Sequence, residues 1–497
     1  MKKIKNVHLI LIIVGILFNG ICVFHSNLWF DEAYSVGLAN KSFADIWNIG
    51  GNDVHPVLYY WILHVIYLIT NGSIVCYRIF SLICVSILGV LGFTHIRKDF
   101  GEKVGILFSF FSYFLPVICV YAVEIRMYSL AAVFVTILSI YAYRIFKENS
   151  ERKEKDKEKI STKNWLIFGI VSLLCIYTHY YALMAAGIIN VILLIYFIKN
   201  KNKKSIIQIL SFGIIQLIAY IPWIMNFAKQ LKQVSKGFWI GFEFPKTIME
   251  ILSSQFIGNL ENVVGFIISI PIYIYLGYKA KKVVKNNKNL NVGVISIAIY
   301  GTVILAALVV TVALRTSILY YRYLFVIIGL YIFFISYYLS KEKNKYIVYG
   351  VCGVTLILAI CSNFVQTKEI YSKSNMTQIT YLKENVKQDD VIVIDEPNLG
   401  TGTVVSLYFE NNKKYFYNPE DWGVGEAYKA FGNEFITCTN TEFLDECNGR
   451  VWIIDSENCD NYNRLFNNEE YILIQKKLIK TTYEDYVYNL ILVEKVK

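Results

Sequence analysis

Apolar stretches dominate the first three quarters of the chain, and polar connections separate them. About 20 apolar residues that each rise 1.5 Å cross the roughly 30 Å of hydrocarbon in a bilayer. The stretches have that length or nearly so, which predicts about eleven membrane-spanning helices. They lie near residues 7–24, 73–96, 104–122, 127–146, 164–181, 182–198, 205–224, 263–278, 292–314, 318–339 and 346–365.

Basic connections between these stretches predict the topology. The connections at 147–163, 199–204, 279–288 and 341–345 are rich in lysine, as is the start of the chain. Basic loops of membrane proteins stay on the cytoplasmic side. The alternate loops are therefore expected to face outward, with Asp31, Glu32, His55, Glu124, His179, the 225–262 loop, Arg315 and the acidic tail.

The apolar stretch 56–70 is too short to assign by length alone. If it crossed the membrane, the basic loop 97–103 would move outward and every later loop would reverse. We therefore interpret it as an interfacial or re-entrant helix.

The composition supports a membrane protein with an uneven charge distribution. Hydrophobic residues make up 55% of the chain, well above the usage of soluble proteins. The net charge of +11 divides into +19 for residues 1–365 and −8 for residues 366–497. Because the basic excess follows the cytoplasmic loops, we interpret it as a topology signal and expect no nucleic-acid partner.

Residues 366–497 differ from the rest of the chain because strand-like segments replace the apolar spans. These segments lie at 391–394, 451–454 and 488–493, with helix-compatible stretches between them. The predicted fold is thus an α-helical polytopic membrane domain at 1–365, followed by a small extracytoplasmic α/β domain at 366–497. The first span lacks a small-residue cleavage site, so we expect a retained anchor.

Two acidic motifs carry the candidate chemistry. Asp31 and Glu32 follow the first span, and Glu124 lies between two later spans. Charge at a membrane boundary is costly, which favours a function over a helix cap for the first pair. If the acids lie on the same side of the bilayer, they can share one cavity. A partly desolvated carboxylate there can act as a general base.

Cations and aromatic residues accompany these acids. Arg78, Arg126 and Arg322 lie in or at the edges of spans, where a guanidinium needs an anionic partner such as a lipid-linked phosphate. Arg78 can instead bind a helix-end carbonyl or extend to the interface. His55 and His179 can be interfacial hydrogen-bonding residues, and the tyrosines an aromatic belt.

The ordered set of motifs at 29–34, 54–60, 77–81, 121–130, 178–181 and 321–323 resembles bacterial membrane glycosyltransferases of the GT-C superfamily. Within that superfamily, it is similar to the branch of protein O-mannosyltransferases (glycosyltransferase family 39) and the lipid A aminoarabinose transferase. The resemblance covers residues 7–365. It departs from the family pattern at Val57, where a second proline is frequent, and at Val123, where a more polar neighbour is usual.

The resemblance implies transfer of a sugar from a polyprenyl-phosphate donor to an acceptor on the outer face of the membrane. Asp31 would be the general base with Glu32 beside it, and Glu124 would orient Asp31, the acceptor or a metal ion. The donor phosphate and other substrate groups would contact the remaining motif residues: His55, Arg78, Arg126, Tyr128, His179, Arg322 and Tyr323.

Two other classes of protein remain as alternatives. A lipid-sugar flippase or transporter also places charges inside a helix bundle, but it tends to show inverted repeats and broken spans near the midplane. A structural or receptor-like protein does not need the outward acids and three boundary arginines. Neither the sugar nor the acceptor follows from the sequence.

Metal and disulfide sites have no clear sequence signal. Acidic oxygens can bind a hard divalent cation, but no dedicated ligand spacing identifies one. Cys438, Cys447 and Cys459 lie in the predicted outer domain, where they allow one bridge at most.

Overall fold

The computed structural model describes residues 2–151, 161–286, 291–374, 376–395, 399–417, 435–455, 460–480 and 488–496, with 419, 430 and 483. Within these ranges, α-helices form the first part of the chain and strands are confined to the last part. The first ten α-helices are α1 (Lys2–Gly20), α2 (Phe30–Ala39), α3 (Phe43–Gly50), α4 (Leu58–Thr70), α5 (Ile74–Leu91), α6 (Arg97–Phe100), α7 (Glu102–Phe114), α8 (Pro116–Tyr121), α9 (Tyr128–Ser150) and α10 (Thr162–Thr178).

The helices continue to residue 408. They are α11 (Tyr180–Lys199), α12 (Lys203–Lys236), α13 (Lys246–Ile257), α14 (Asn262–Asn286), α15 (Val292–Leu314), α16 (Ile328–Ser340), α17 (Lys345–Ser372), α18 (Met376–Asn385) and α19 (Leu399–Tyr408). A 3₁₀ helix at Tyr321–Ile327 leads directly into α16.

Nine helical segments of the described chain are long and apolar enough to cross a membrane. They match nine of the eleven apolar stretches identified in the sequence, and they make the chain a multi-pass membrane protein. The other two stretches contain shorter helices. At 104–122, the helix is interrupted because Leu115, which precedes Pro116, is extended; α7 ends before it and α8 begins at the proline. At 164–181, α10 ends at Thr178.

The stretch 56–70 contains α4, a helix of 13 residues. Polar side chains cap the starts of several helices. Ser161 accepts a hydrogen bond from Asn164 N–H at the start of α10, and Asn202 accepts one from Ser205 N–H at the start of α12. These caps satisfy amide groups that have no partner within the helix, which fixes where each helix begins.

The chain divides into two compact units. The first comprises residues 1–23, 54–59 and 78–366, and the second comprises residues 24–53, 60–77 and 367–497. The second unit therefore contains α2 and α3 as well as the strands. The domain division at residues 365 and 366 remains a prediction.

The strands of the second unit form one sheet in the order β3-β2-β1-β4-β6-β5. The strands are β1 (Val391–Asp395), β2 (Lys414–Tyr417), β3 (Phe435–Cys438), β4 (Arg450–Asp455), β5 (Tyr471–Ile479) and β6 (Tyr488–Lys495). β1 is parallel to β2 and β4, and β6 is antiparallel to β4 and β5. The three strand-like segments of the sequence correspond to β1, β4 and β6, so the predicted α/β fold is confirmed.

One face of this sheet packs on aromatic residues. Val393 and Ile453 lie in a buried cluster with Tyr415, Phe443 and Phe466. Directly before β1, an interior strand of the sheet, Asp390 is a buried carboxylate with several donors. Arg450 Nε donates to it at 2.9 Å, and the indole N–H of Trp452 donates to it at 3.0 Å.

Candidate functional site

The link between α8 and α9 is not helical, and it carries two of the predicted site residues. Glu124 and Arg126 lie in this link, and both are buried. α5 holds the backbone of the link from the side. Ser81 Oγ donates to the carbonyl of Glu124 at 2.6 Å, and Arg78 Nη1 donates to the carbonyl of Val123 at 2.8 Å. The side chains of α5 therefore fix the position from which the Glu124 carboxylate projects.

Glu124 forms an ion pair with a cation from a distant part of the chain. Arg322 Nη1 lies 3.9 Å from Glu124 Oε1. The Arg322 guanidinium also lies 5.5 Å from the centre of the Tyr320 ring. A buried carboxylate is costly unless a cation or donors compensate it, so this pairing explains how Glu124 is tolerated inside the unit.

Aromatic side chains and two histidines form a cluster near this ion pair. The centre of the His179 ring lies 5.5 Å from His55, 5.7 Å from Tyr128 and 5.2 Å from Tyr323. The Tyr128 and Tyr323 rings lie 6.2 Å apart, and the Tyr181 ring packs 5.3 Å from Tyr323. Such separations are typical of packed aromatic pairs, so the cluster is a rigid wall and not a set of independent surface groups.

A hydrogen bond to His179 indicates which nitrogen of its neutral ring carries the proton. Its Nδ1 accepts a hydrogen bond from Tyr181 N–H at 3.1 Å, so the neutral ring carries its proton on Nε2. This Nε2 is buried and has no hydrogen-bond partner among the described residues. A buried donor of this kind is costly to leave unpaired, which makes it a candidate contact for a substrate oxygen.

His179 also lines a cavity in the first unit. Its volume is about 420 Å³, which is large enough for several carbon atoms of a lipid and a polar head. The polar part of the wall comes from His55, His179, Tyr180, Tyr181, Gln230 and Tyr323, while most of the remaining wall is apolar. The apolar residues come from α11, α12 and α15 and from the segments that follow α12 and α15, and they include Leu183, Met184, Phe227, Leu231, Val234, Phe238, Val310, Ala313, Leu314 and Ile318.

The first two predicted acids lie in the second unit. Asp31 and Glu32 occupy the first turn of α2, where Ala33 N–H donates to the carbonyl of Trp29. Glu32 is 2% exposed, whereas Asp31 is partly exposed. The positive end of the helix dipole stabilises negative charge at this position. Tyr34 of the same helix packs against Tyr60, whose hydroxyl donates to Asp53 at 3.2 Å.

The predicted residues thus fall into two groups. Within the first unit, the structure brings Glu124 together with Arg322, and it brings His55, Tyr128, His179 and Tyr323 together in one cluster. Arg78 contacts the link that carries Glu124, which is the carbonyl-binding alternative considered for it. The expectation that Asp31 and Glu124 share one cavity remains a prediction.

Sequence reasoning assigned no role to several residues that build this region. Ser81 lies within the motif at 77–81, but its hydrogen bond to a backbone carbonyl has no sequence signature. Gln230 donates to the carbonyl of His55 and accepts from the hydroxyl of Tyr180. Gln230 is one of four glutamines in α12, so no sequence pattern distinguishes it from the others.

No three histidine, cysteine or acidic side chains of the described residues lie close enough together to hold a metal ion. Cys438 and Cys447 are free thiols, and burial raises the pKa of the Cys447 thiol to about 12. Cys459 lies outside the described residues.

Comparison of the sequence with protein-family models and with curated proteins gives no match. Solved structures do match. The crystal structure of ArnT from Cupriavidus metallidurans in the apo state superposes with a TM-score of 0.63 at 9% identity, over 98% of this chain and 97% of that chain. The chain has the fold of ArnT. The predicted GT-C fold is thereby confirmed, and the likeness extends through the α/β region.

A second structure of the same protein is bound to undecaprenyl phosphate. It matches with a TM-score of 0.58 and 10% identity, over 98% of each chain. At this level of identity, the likeness concerns the fold, and the chemistry of this chain has to be argued from its own residues.

Proposed function

We propose that this protein transfers a sugar from a polyprenyl-phosphate donor to an acceptor on the outer face of the cytoplasmic membrane. The observation that carries the proposal is the cavity of about 420 Å³ in the first unit. One part of its wall offers imidazole, amide and phenol groups, and the rest is apolar. A polyprenyl-linked sugar has the same division between a polar head and a hydrocarbon tail.

The cations of the first unit suit the donor phosphate. Arg126 is buried in the link between α8 and α9, and Arg322 lies 3.9 Å from Glu124. A guanidinium binds two phosphate oxygens at once in a planar geometry. We assign Arg126 and Arg322 to the phosphate, with His55, Tyr128, His179 and Tyr323 on the head group. Arg78 supports the same subsite through its contact with Val123.

The binding of undecaprenyl phosphate to ArnT supports this assignment of donor class. That ligand was found in a protein with the same fold, and it combines one phosphate with a long isoprenoid chain. The proposal for this chain extends the parallel to a glycosylated polyprenyl phosphate. The transferred sugar is a hexose or a pentose.

The reaction follows from the groups that the chain provides. A carboxylate, with Asp31 as the chief candidate and Glu32 beside it, removes the proton from an acceptor hydroxyl or amine. The acceptor atom then forms a bond to the anomeric carbon, and the bond from that carbon to the phosphate oxygen breaks. The electron pair leaves with polyprenyl phosphate, whose added charge the arginines stabilise. Attack opposite the leaving group inverts the anomeric configuration.

Glu124 has a different part in this proposal. Its carboxylate is buried and paired with Arg322, and side chains of α5 donate to its carbonyl and to that of Val123. We propose that it orients a reacting group, such as Asp31, the acceptor or a bound divalent cation. The proposal places the acceptor and the α/β domain on the outer face of the cytoplasmic membrane, because the basic loops of the sequence are expected on the opposite side.

A cavity-filling substitution tests the donor site directly. Leu183→Trp adds a bulky ring to the cavity wall, whereas Val191→Trp adds it to an exposed position of the same helix. Undecaprenyl phosphate should raise the thermal unfolding temperature of the native protein and of Val191→Trp, because a ligand stabilises the state that binds it. The same ligand should raise the unfolding temperature of Leu183→Trp much less. Equal stabilisation of all three proteins would contradict this site.

A further inference from the structure

Helix α2 carries the proposed base, and both of its ends are tied to the C-terminal part of the chain. At the start, Asn27 lies three residues before α2 and is 4% exposed. Its amide group donates to the carbonyls of Ile370 at 2.9 Å and Lys373 at 3.0 Å. These carbonyls lie at the end of α17, where helical carbonyls lack partners along the chain. One asparagine therefore satisfies two acceptors and fixes the entry to α2.

The other end of α2 is tied to the loop after α19. Asn40 directly follows α2, and its Nδ2 donates to Glu410 Oε1 at 2.8 Å. Glu410 is itself held in place, because Lys414 Nζ donates to its carbonyl at 3.3 Å and to that of Phe409 at 2.7 Å. Lys414 is fully buried at the first position of β2. The connection thus runs from the sheet through Glu410 to the end of α2.

Between these two ends, α2 packs along α19, and α19 packs on the sheet. Gly402 allows the second contact, since a Cβ at that position would lie 2.6 Å from the side chain of Ile394 in β1. Most of α2 is buried, from Glu32 to Ala39. Such a helix has little freedom to shift or rotate without breaking contacts with the α/β domain.

We propose that the C-terminal α/β domain positions the catalytic acids, and that Asn27, Asn40 and Glu410 are the positioning residues. The α/β domain supplies the fixed surface on which α2 rests, with one tie at each end of the helix. A misplacement of about 1 Å in a reacting group can lower a rate about a hundredfold. This inference rests on the proposed function for the role of Asp31 and Glu32, whereas the tie itself is a separate and measurable property.

Hydrogen–deuterium exchange of α2 in the full-length protein tests the tie without any assay of activity. Asn27→Asp keeps the shape of the side chain but replaces a donor by a carboxylate that faces two carbonyl oxygens. Glu410→Ala removes the acceptor at the other end, and Glu410→Gln keeps an acceptor oxygen. The amides of residues 33–39 should exchange about tenfold faster in Asn27→Asp and Glu410→Ala, and at the native rate in Glu410→Gln.

Glu446→Gln is the matched control, because Glu446 lies in the same domain and bonds to Tyr415 and Lys413. It should leave the exchange of α2 unchanged. Exchange that remains native in both Asn27→Asp and Glu410→Ala would overturn the tie. The position of Glu410 on a partly exposed loop keeps the test valid if the buried Asn27→Asp variant does not fold.

Kinetics then separate the positioning role from a merely structural one. In a transfer assay, Glu410→Ala should lower kcat about tenfold with little change in the KM for the donor, and Glu410→Gln should restore it. Faster exchange in α2 with an unchanged kcat would overturn the positioning role. Absence of any transfer by the native protein would overturn the proposed function alone, because the exchange experiment would still measure the tie.

Discussion

The two groups of candidate acids are held in different ways. In the first unit, Glu124 lies in a break between helices, paired with Arg322 and fixed through its backbone by Ser81. In the second unit, Asp31 and Glu32 lie in the first turn of a regular helix, which packs on the α/β domain. One acid depends on specific polar contacts, and the other pair depends on the placement of a whole helix.

This difference indicates how each group responds to substitution. Removing a contact of Glu124 leaves a buried charge or carbonyl without its partner, which affects both stability and activity. A conservative change at Asp31 alters a partly exposed carboxylate at a helix end, so we expect a chemical effect with little cost in folding.

The largest effect is expected at Asp31. Asp31→Asn keeps the size of the side chain but removes the base, and loss of a general base typically lowers the rate by about 10²–10⁴. The value of kcat should fall in this range, and the thermal unfolding temperature should stay close to that of the native protein. Near-normal turnover would leave Asp31 as a residue that supports the helix end.

Arg322 should show a smaller effect, and on a different kinetic constant. Arg322→Ala removes a charged donor, which is worth about 1.5–3 kcal/mol, or roughly a tenfold to hundredfold increase in the KM for the donor. The acceptor KM should change little. Because the substitution removes a positive charge 3.9 Å from the buried Glu124 carboxylate, the unfolding temperature should fall, and Glu124→Gln in the same chain should restore part of it. An unchanged donor KM would remove Arg322 from the phosphate site.

Ser81 should show a modest effect. Ser81→Ala removes the hydrogen bond to the Glu124 carbonyl, at a cost of about 1 kcal/mol in stability and a few-fold loss in kcat. Ser86 provides a control in the same helix, because its hydroxyl donates only to the carbonyl of Leu82, one turn back. Thermal unfolding and kinetics of both variants measure the difference. Equal behaviour of Ser81→Ala and Ser86→Ala would show that the hydrogen bond does not matter.

The smallest effect is expected at Glu446 of the α/β domain. Hydrogen bonds from Lys413 and Tyr415 lower the pKa of this carboxyl below its usual value of 4.5. The resulting stability is present above pH 4.5 and is lost as the pH falls through the lowered pKa. Glu446→Gln should therefore slightly lower the stability at pH 7, where the native contact is present, and the difference from the native protein should shrink as the pH falls below about 4.5. An identical acid dependence would show that the contact does not contribute.

Much of the membrane fold could be predicted because apolar length and basic loops are local properties of the sequence. Nine of the stretches appear as spanning helices within the described residues, and the break before Pro116 follows from the restricted backbone of Leu115. The strands β1, β4 and β6 were visible as short β-branched runs. The order of strands in the sheet was not, because pairing depends on contacts far apart in the chain.

The candidate site was only partly predictable for the same reason. Its ionisable residues are conspicuous in an apolar sequence, so Glu124, Arg126 and Arg322 could be selected. The contact of Arg78 with Val123 depends on how α5 packs, and the tie between Asn40 and Glu410 joins residues 370 positions apart. Neither has a local pattern. The place of α2 in the second unit could not be inferred either, because its partner α19 lies near the other end of the chain.

The fate of the donor tests the central claim most directly. Purified native protein in liposomes would receive polyprenyl phosphate carrying a labelled hexose or pentose, with a panel of hydroxyl and amine acceptors. The account predicts that free polyprenyl phosphate appears in step with labelled acceptor, and that Asp31→Asn abolishes both. A flippase would leave the bond between sugar and phosphate intact and would only move the donor lipid between leaflets. Redistribution of uncleaved donor without any labelled acceptor would contradict the account.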